Sequence, residues 1–213
     1  ACVLHYPAGG ARLEAGQLCL VDAGCELDGY ASDITRTFPV DGGFGGEQRA
    51  VYDLVHAAQQ AAFDAARPGG TFNAPHDAAV RVLAQGLIDL GLLDGTLDGV
   101  VESGAYRQFY MHRTSHWLGL DVHDVGDYRA PGPATEGTER AWRTLVPGMV
   151  LTVEPGLYLR AAPNVPQRFA HIGVRIEDDV VITDEGHDVL TQALPRRADD
   201  IEALMREGRD GRR

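Results

Sequence analysis

The apolar and polar positions of the chain predict two helices in its middle, with strand-forming segments on either side. Residues 47–67, EQRAVYDLVHAAQQAAFDAAR, are rich in helix-forming residues and end before a Pro-Gly-Gly sequence that does not continue a helix. In residues 73–91, apolar side chains recur at helical spacing, at Val80, Leu83, Leu87 and Leu90. We interpret His56 and His76, which lie on these two helices, as ordinary core or surface histidines.

Two further segments are predicted from their composition. Residues 129–143 are rich in Gly, Pro, Thr and Glu, which indicates a surface loop. Residues 198–213, ADDIEALMREGRDGRR, predict a short helix that frays into a basic, solvated tail.

Two short segments share one pattern, which indicates an internal repeat. Residues 15–24, AGQLCLVDAG, and residues 147–156, PGMVLTVEPG, each contain a Gly, an apolar strand, an acid and, two positions later, another Gly. The first Gly precedes the acid by six positions in both segments (22 − 16 and 154 − 148). Each segment is followed by an acid four positions after a Gly, in GYASD at 29–33 and GVRIE at 173–177. Two matches in the same order predict a duplicated unit that ends two strands in carboxylates, with an insertion in the second copy.

In the first unit, the dipeptide Asp28-Gly29 lies between strand-like segments and predicts a tight hairpin. If these two residues form the turn, opposed positions sum to 57 (28 + 29), so Asp33 faces Gly24. Asp22 lies on the same face as Gly24, because side chains alternate along a strand. Asp22 and Asp33 are therefore expected to be diagonal neighbours, roughly 7–8 Å apart at the backbone.

In the second unit, alternation places Thr152 with Glu154 on one strand and Arg175 with Glu177 on another, but how these strands pair is left open. Four carboxylates that meet on one sheet face require shared protons or bound cations. The segment 112–124, HRTSHWLGLDVHD, holds three of the eight histidines and could add imidazole ligands. Such a mixture suits two divalent ions about 3.5–4 Å apart, with Mn²⁺ expected and Zn²⁺, Co²⁺ or Fe²⁺ as alternatives.

Composition narrows the classes of partner. An apolar share of 44 % is typical of a folded chain, and the net charge of −12 argues against nucleic acid as a partner. No apolar run approaches the roughly 20 residues that span a bilayer, which argues against a membrane protein. The cysteines Cys2, Cys19 and Cys25 are odd in number and lack the spacing of metal ligands, so we interpret them as reduced core thiols of a cytoplasmic protein.

Five motifs carry a resemblance to a known family: LVDAG, GYASDITRTF, SHWLGLDVHDVG, MVLTVEPGLY and GVRIEDDVVIT. Together they resemble the catalytic domain of the pita-bread metallopeptidases, in particular the bacterial Xaa-Pro aminopeptidases, with the prolidases as close relatives. The resemblance covers most of residues 1–213 and implies an α+β fold, in which two pseudosymmetric halves form a curved antiparallel sheet covered by helices. It also implies helices before the first strand, so we expect part of the first half to lie upstream of residue 1. Residues 1–213 alone are then expected to be poorly soluble or inactive.

The resemblance implies a dinuclear metal site. Its five ligands would be Asp22, Asp33, His116, Glu154 and Glu177, of which Asp33 and Glu177 would bridge both ions.

The resemblance also implies roles for residues around the metals. His123 would contact the substrate carbonyl, and His112 and His5 would be active-site histidines near the bound peptide. Glu154 would orient the attacking water and take its proton. Two further residues are expected at the site, Arg175 holding a neighbouring carboxylate and Tyr158 lining the pocket. His171 and His187 match no functional position, and we expect both on the surface.

The implied activity is hydrolysis of the peptide bond between an N-terminal residue and a proline at the second position, by a hydroxide that bridges two metal ions. The expected location is the cytoplasm, and the resemblance implies a dimer or tetramer for the full-length protein. Two alternatives remain open: a dipeptidase restricted to Xaa-Pro dipeptides, and a catalytically silent binding module of the same fold. Arg113-Thr114 in HRTSH and the long 129–143 segment depart from the family pattern and could alter substrate access.

Overall fold

The computed structural model of the protein describes residues 2–4, 10, 12–133 and 139–210. The predicted site residue His5 lies outside the described residues. The strands are β1 (Leu18–Ala23), β2 (Glu26–Leu27), β3 (Tyr30–Ala31), β4 (Ile34–Pro39), β5 (Val150–Val153), β6 (Gly156–Leu159), β7 (Ile172–Arg175), β8 (Asp178–Ile182) and β9 (His187–Val189). The helices are α1 (Gly46–Ala65), α2 (Ala74–Asp89), α3 (Leu97–Ser103) and α4 (Ala198–Asp210), with a 3-10 helix at Ala105–Gln108.

The first hairpin has the predicted register. β1 pairs with β4 so that Asp22 faces Thr35, and β2 pairs with β3 so that Leu27 faces Tyr30. Both pairs sum to 57, as expected for a turn at Asp28-Gly29. The turn residues have φ angles of 53° and 86°, the left-handed backbone of a type I′ turn.

The second hairpin repeats this design, which answers the question that the sequence left open. β5 pairs antiparallel with β8, and β6 pairs with β7. Val150 faces Val181 and Gly156 faces Arg175, so opposed positions sum to 331 in both ladders (150 + 181 and 156 + 175). The inserted residues lie between β6 and β7, at the far end of the hairpin. β9 extends this unit by pairing with β8.

Each hairpin needs a Gly two positions after its first acid because the opposite backbone is close. A Cβ atom on Gly24 would lie 1.8 Å from the carbonyl oxygen of Ser32. A Cβ atom on Gly156 would lie 2.8 Å from the hydroxyl oxygen of Tyr158 and 2.9 Å from the carbonyl oxygen of Val174. The two glycines of the repeat are therefore explained by the same steric constraint.

The two central helices pack against each other, α1 also packs against the second hairpin, and both helices contribute to the main hydrophobic core. Their bounds lie within two residues of the predicted ones. The buried face of α1 includes Val51, Val55, Ala58 and Ala62, and that of α2 includes Val80, Leu83, Ala84 and Leu87. From α1, the buried Gln59 Nε2 donates hydrogen bonds to the carbonyl oxygens of Val153 (3.3 Å) and Ile176 (3.2 Å). This amide ties α1 to the strand ends that carry Glu154 and Glu177.

The C-terminal helix is confirmed as α4, while residues 211–213 lie outside the described part. All three cysteines are free thiols, with Cys2 and Cys19 half-buried. The prediction of a core thiol is wrong for Cys25, because it lies in the exposed stretch between β1 and β2. His171 is exposed as expected, whereas His187 is half-buried and stacks on Phe63 with ring centroids 5.6 Å apart.

The segment 129–143 is more ordered than a plain surface loop, in the part that the structure describes. Arg129 and Trp142 form a β-bridge, and Ala130 N donates to the carbonyl oxygen of Ala141 (2.8 Å). Trp142 holds this segment next to the predicted site. None of the helices in the described ranges is long and apolar enough to cross a membrane.

Candidate metal centre

The predicted acids lie at strand ends of the two hairpins. Asp22 is the penultimate residue of β1, Asp33 directly precedes β4, and Glu154 directly follows β5. Glu177 lies between β7 and β8, and since 154 + 177 is 331, it falls opposite Glu154 in the second hairpin. The hairpins contact each other here: Glu177 N donates to the carbonyl oxygen of Thr35 (3.1 Å).

His116 is brought to this point by the segment that runs beside β5. Its backbone N donates to Thr152 Oγ1 (3.2 Å), and its carbonyl oxygen accepts from Thr152 N (3.1 Å). His116 Nδ1 lies 2.9 Å from the carbonyl oxygen of Trp117, which can only accept, so Nδ1 carries the hydrogen. Nε2 faces the acids, 3.4 Å from Asp33 Oδ2 and 3.7 Å from Glu154 Oε1.

This arrangement fits a divalent cation. Asp33, His116 and Glu177 are buried and offer ligand atoms that all lie within 4.8 Å of one another. Carboxylate oxygens with one imidazole suit hard or borderline ions, and the hydrogen bond from Nδ1 to a carbonyl oxygen is typical of histidine ligands.

The electrostatics also favour a cation. Burial raises the pKa of Glu177 to about 8, assisted by the charge of Asp33 and opposed by the hydrogen bond from Thr35 Oγ1 (2.6 Å). Burial also raises the pKa of Glu154 well above its ordinary value, and the charge of Glu177 adds to this. The pKa of Asp22 is raised by burial, although Arg175 opposes the shift. Without a cation, the cluster is therefore driven to take up protons.

Arg175 holds Asp22 and Thr35 from behind. Its side chain is 4 % exposed, and Nη2 donates to Asp22 Oδ2 at 2.5 Å. Nε donates to Thr35 Oγ1 (3.2 Å), the same hydroxyl that donates to Glu177, so one guanidinium connects acids from both hairpins.

Arg175 also begins a chain of hydrogen bonds that ends at His112. Nη1 donates to Tyr158 Oη (3.1 Å), and Tyr158 Oη lies 2.8 Å from His112 Nε2. His112 Nδ1 lies 2.7 Å from the carbonyl oxygen of Arg113 and must be the donor there. In the neutral histidine, Nε2 then accepts the Tyr158 hydroxyl hydrogen, and every member of the chain is satisfied. Tyr158 is fully buried, so it holds His112 in place instead of lining the cavity as expected.

A cavity of about 450 Å³ opens onto the cluster. Its lining includes the predicted residues Asp22, Asp33, His112, His116, His123, Glu154, Arg175 and Glu177. His123 stacks on His116 there, with ring centroids 4.0 Å apart. The cavity is also lined by Phe72, Arg113, Tyr128 and Trp142. Sequence analysis named Arg113 and the segment 129–143 as features that could alter substrate access, but it did not single out Phe72 or Tyr128.

Further polar residues were missed because they act behind the acids. The buried Asp178 accepts from Arg36 Nη2 (2.7 Å), Gln59 Nε2 (2.9 Å) and Thr191 Oγ1 (2.6 Å). This network fixes the start of β8 directly after Glu177. Asp179 Oδ2 accepts from the backbone N of Asp33 (3.1 Å). The only signal in the sequence was the run of three acids, EDD, in an apolar strand context.

His76 has a structural role, because its side chain makes a specific hydrogen bond. Its Nδ1 lies 2.9 Å from Thr114 Oγ1, which in turn lies 2.5 Å from Tyr110 Oη. The carbonyl oxygen of Thr114 accepts from the backbone N of Glu154 (2.8 Å). Burial, with a smaller contribution from the charge of Arg113, lowers the pKa of His76 to about 4. The neutral imidazole thus links α2 to the segment that carries His112.

Acidification is expected to destabilise the protein through His76. His76 has a pKa of about 4 in the folded chain, against an ordinary value of 6.5, so the unfolded chain takes up a proton at this residue first as the pH falls. The free energy of unfolding is therefore highest above pH 6.5 and decreases between pH 6.5 and pH 4. His76→Asn keeps a polar side chain without the titration. Between pH 7 and pH 4, the wild type should lose on the order of 3 kcal/mol more unfolding free energy than the variant, measured by urea denaturation. Parallel pH profiles of the two proteins would contradict this.

Comparison with known proteins gives a consistent result. The chain is 49 % identical to the Xaa-Pro aminopeptidase of Haemophilus influenzae over 205 residues, which are 96 % of this chain and 46 % of that protein. The structure of Pseudomonas aeruginosa aminopeptidase PepP has a TM-score of 0.93 at 51 % identity, covering 98 % of this chain and 46 % of that one. Aminopeptidase P from E. coli with the inhibitor Pro-Leu has a TM-score of 0.90 at 46 % identity, with coverages of 98 % and 46 %.

The chain therefore spans about half the length of the relatives it matches. The structural match confirms the predicted pita-bread fold, with its mixed helices and antiparallel sheet. The sequence model described as metallopeptidase family M24 matches residues 1–184. From its two hairpins, its acid and histidine cluster and these matches, the chain belongs to metallopeptidase family M24.

Proposed function

We propose that the protein is a metal-dependent aminopeptidase that hydrolyses the bond between an N-terminal residue and a proline at the second position. The observation that carries this proposal is the buried cluster of Asp33, His116 and Glu177, whose ligand atoms lie within 4.8 Å of one another at the floor of a cavity. The relatives named Xaa-Pro aminopeptidase and aminopeptidase P support the choice of substrate.

Two divalent ions are proposed as cofactors, with Mn²⁺ expected and Zn²⁺, Co²⁺ or Fe²⁺ as alternatives. The proposed ligands are Asp22, Asp33, His116, Glu154 and Glu177. When bound, such ions would polarise the carbonyl group of the substrate and lower the pKa of bound water to near neutral.

Glu154 is proposed to move the proton. Its side chain is 17 % exposed at the cavity wall, and its Oε2 lies 3.8 Å from His112 Nδ1. It takes a proton from the attacking water and delivers it to the leaving nitrogen. That nitrogen belongs to proline and carries no hydrogen, so the substrate offers no N–H for recognition at this position. Shape and charge around the cavity must therefore supply the specificity.

The histidines are proposed to stabilise charge on the substrate. His123 lies beside His116 in the cavity and donates to the carbonyl oxygen as negative charge develops on it. His112 is held by Tyr158 at the cavity wall, near the bound peptide, and Tyr158 is held by Arg175. Arg175 thus positions both Asp22 and His112.

Metal analysis together with peptide assays tests the proposal. The purified full-length protein should bind about two Mn²⁺ ions per chain. It should cleave Ala-Pro-Ala-Ala and leave Ala-Ala-Ala-Ala largely intact, and Pro-Leu should compete with the substrate. Cleavage of the dipeptide Ala-Pro alone would instead identify a dipeptidase. A protein that binds no metal and cleaves neither tetrapeptide would refute the aminopeptidase assignment.

A further inference from the structure

We infer that Arg113 forms a carboxylate-binding subsite on the cavity wall, and that the protein therefore favours peptides with a carboxylate on the leaving side of the scissile bond. The inference rests on the proposed function and names a preference among its substrates. It comes from Arg113, a departure from the family pattern that lines the cavity together with three aromatic residues.

Arg113 is held in place but keeps hydrogen-bonding capacity. Its guanidinium lies over the ring of Trp142, 4.8 Å from the ring centroid, and Nη2 donates to Asn73 Oδ1. Asn73 is itself fixed by donating to Asp77 Oδ1 (2.7 Å). In the described ranges, no carboxylate lies within ion-pair distance of Arg113. Its remaining N–H groups are therefore available to a ligand.

Arg129 provides a contrast on the same ring. It also lies over Trp142, 3.4 Å from the centroid, but its Nη2 is paired with Glu139 at 2.5 Å. Its Nη1 donates to the carbonyl oxygen of Arg140 (3.0 Å), and Arg129 does not line the cavity. The two guanidinium groups therefore differ: one is neutralised by the protein, and the other faces the cavity.

The surroundings of Arg113 favour a planar anion. A guanidinium stacked on an aromatic ring presents its fork in a fixed plane, which matches the two oxygens of a carboxylate. Phe72 and Tyr128 stack beside Trp142 with their centroids 4.7 Å apart, and this apolar wall can pack against the stem of a side chain. The net charge of −12 repels acidic peptides elsewhere on the molecule, so a local cation has a large effect on which peptides enter.

Charge also determines which end of the peptide faces Arg113. The N-terminal residue of the substrate carries an ammonium group, which Arg113 repels and the acid cluster around Asp22 attracts. An aminopeptidase leaves the rest of the peptide on the other side of the scissile bond. A carboxylate next to Arg113 therefore comes from the leaving peptide, either as its C-terminus in a short substrate or as an Asp or Glu side chain.

Matched substrate pairs separate these two sources. Ala-Pro-Glu-amide and Ala-Pro-Gln-amide differ only in a side-chain carboxylate, and Ala-Pro-Ala and Ala-Pro-Ala-amide differ only in the terminal one. The carboxylate member of at least one pair should have about tenfold higher kcat/KM, mainly through KM, as expected for a charge-assisted hydrogen bond remote from the reacting atoms. In Arg113→Gln this ratio should fall to about one. Arg129→Gln should keep the wild-type ratio.

A wild-type ratio of about one in both pairs, or an unchanged ratio in Arg113→Gln, would overturn the inference. The wild-type measurement stands even if the variant fails to fold, which thermal unfolding reveals. Binding of Pro-Glu-amide, Pro-Gln-amide, Pro-Ala and Pro-Ala-amide to the Mn²⁺-loaded protein, measured by calorimetry, tests the subsite without turnover. If no peptide is cleaved yet a carboxylate ligand binds tighter in an Arg113-dependent manner, the proposed function fails and the subsite stands.

Discussion

Replacing Asp33 or Glu177 by Ala is expected to abolish hydrolysis and to remove the second metal ion as well as weaken the first. Both side chains lie in the buried triangle with His116, one from each hairpin, and both are proposed to bridge the ions. Losing either one removes ligands from two positions at once. Metal ions contribute several kcal/mol to such reactions, so kcat/KM should fall by at least about 10³.

The measurement is metal content after dialysis, together with the rate of Ala-Pro-Ala-Ala cleavage. Glu185→Ala is a suitable control, because Glu185 is an exposed acid in the turn between β8 and β9. It should keep both metal ions and the wild-type rate. If Asp33→Ala or Glu177→Ala retained two tightly bound ions and normal turnover, the ligand assignment would be wrong.

His123→Ala is expected to retain both metal ions and still lose most of its activity. His123 stacks on His116 in the cavity, and it is proposed as a donor to the developing negative charge rather than as a ligand. Removing one such donor typically lowers kcat by about 10²–10³. Single-turnover kinetics and metal content on the same sample separate the two roles.

His171→Ala serves as the matched control, since His171 is exposed at a turn. It should behave as the wild type does. A His123→Ala protein that loses a metal ion would place His123 among the ligands. His123→Asn, which keeps an N–H donor, should recover part of the lost rate, and no recovery at all would argue against a donor role.

The register of the first hairpin could be predicted because a local signal specifies it. Asp28-Gly29 adopts the left-handed turn that this dipeptide favours, and every opposed pair follows from it by counting. The second hairpin has the same alignment, but its turn region spans the residues between β6 and β7 and contains no such dipeptide. Its pairing was accordingly visible only in three dimensions.

The candidate site also contains residues that could be predicted from the sequence and residues that could not. Acids at strand ends and the histidine-rich segment stand out in a sequence because charged residues rarely interrupt apolar strands. Thr35 and Gln59 are ordinary neutral residues, and nothing local distinguishes a threonine that donates to Glu177 from any other strand threonine. Phe72 and Trp142 lie together at the cavity although they are 70 positions apart in the sequence (142 − 72). Their contact depends on the β-bridge between Arg129 and Trp142, which no local pattern predicts.

The acid cluster is divided between two hairpins, so the stability of the fold, and with it the lifetime of the protein in the cell, would depend on the supply of metal. Asp22 and Asp33 come from one hairpin and Glu154 and Glu177 from the other, so their mutual repulsion acts across the surface that joins the two. A cation that binds only the folded chain offsets this repulsion and adds about 2.7 kcal/mol at a hundred times its dissociation constant. Chains that fold during metal starvation would open more often and reach cellular proteases sooner. Scarcity would then lower the number of molecules in the cell as well as the activity of each one.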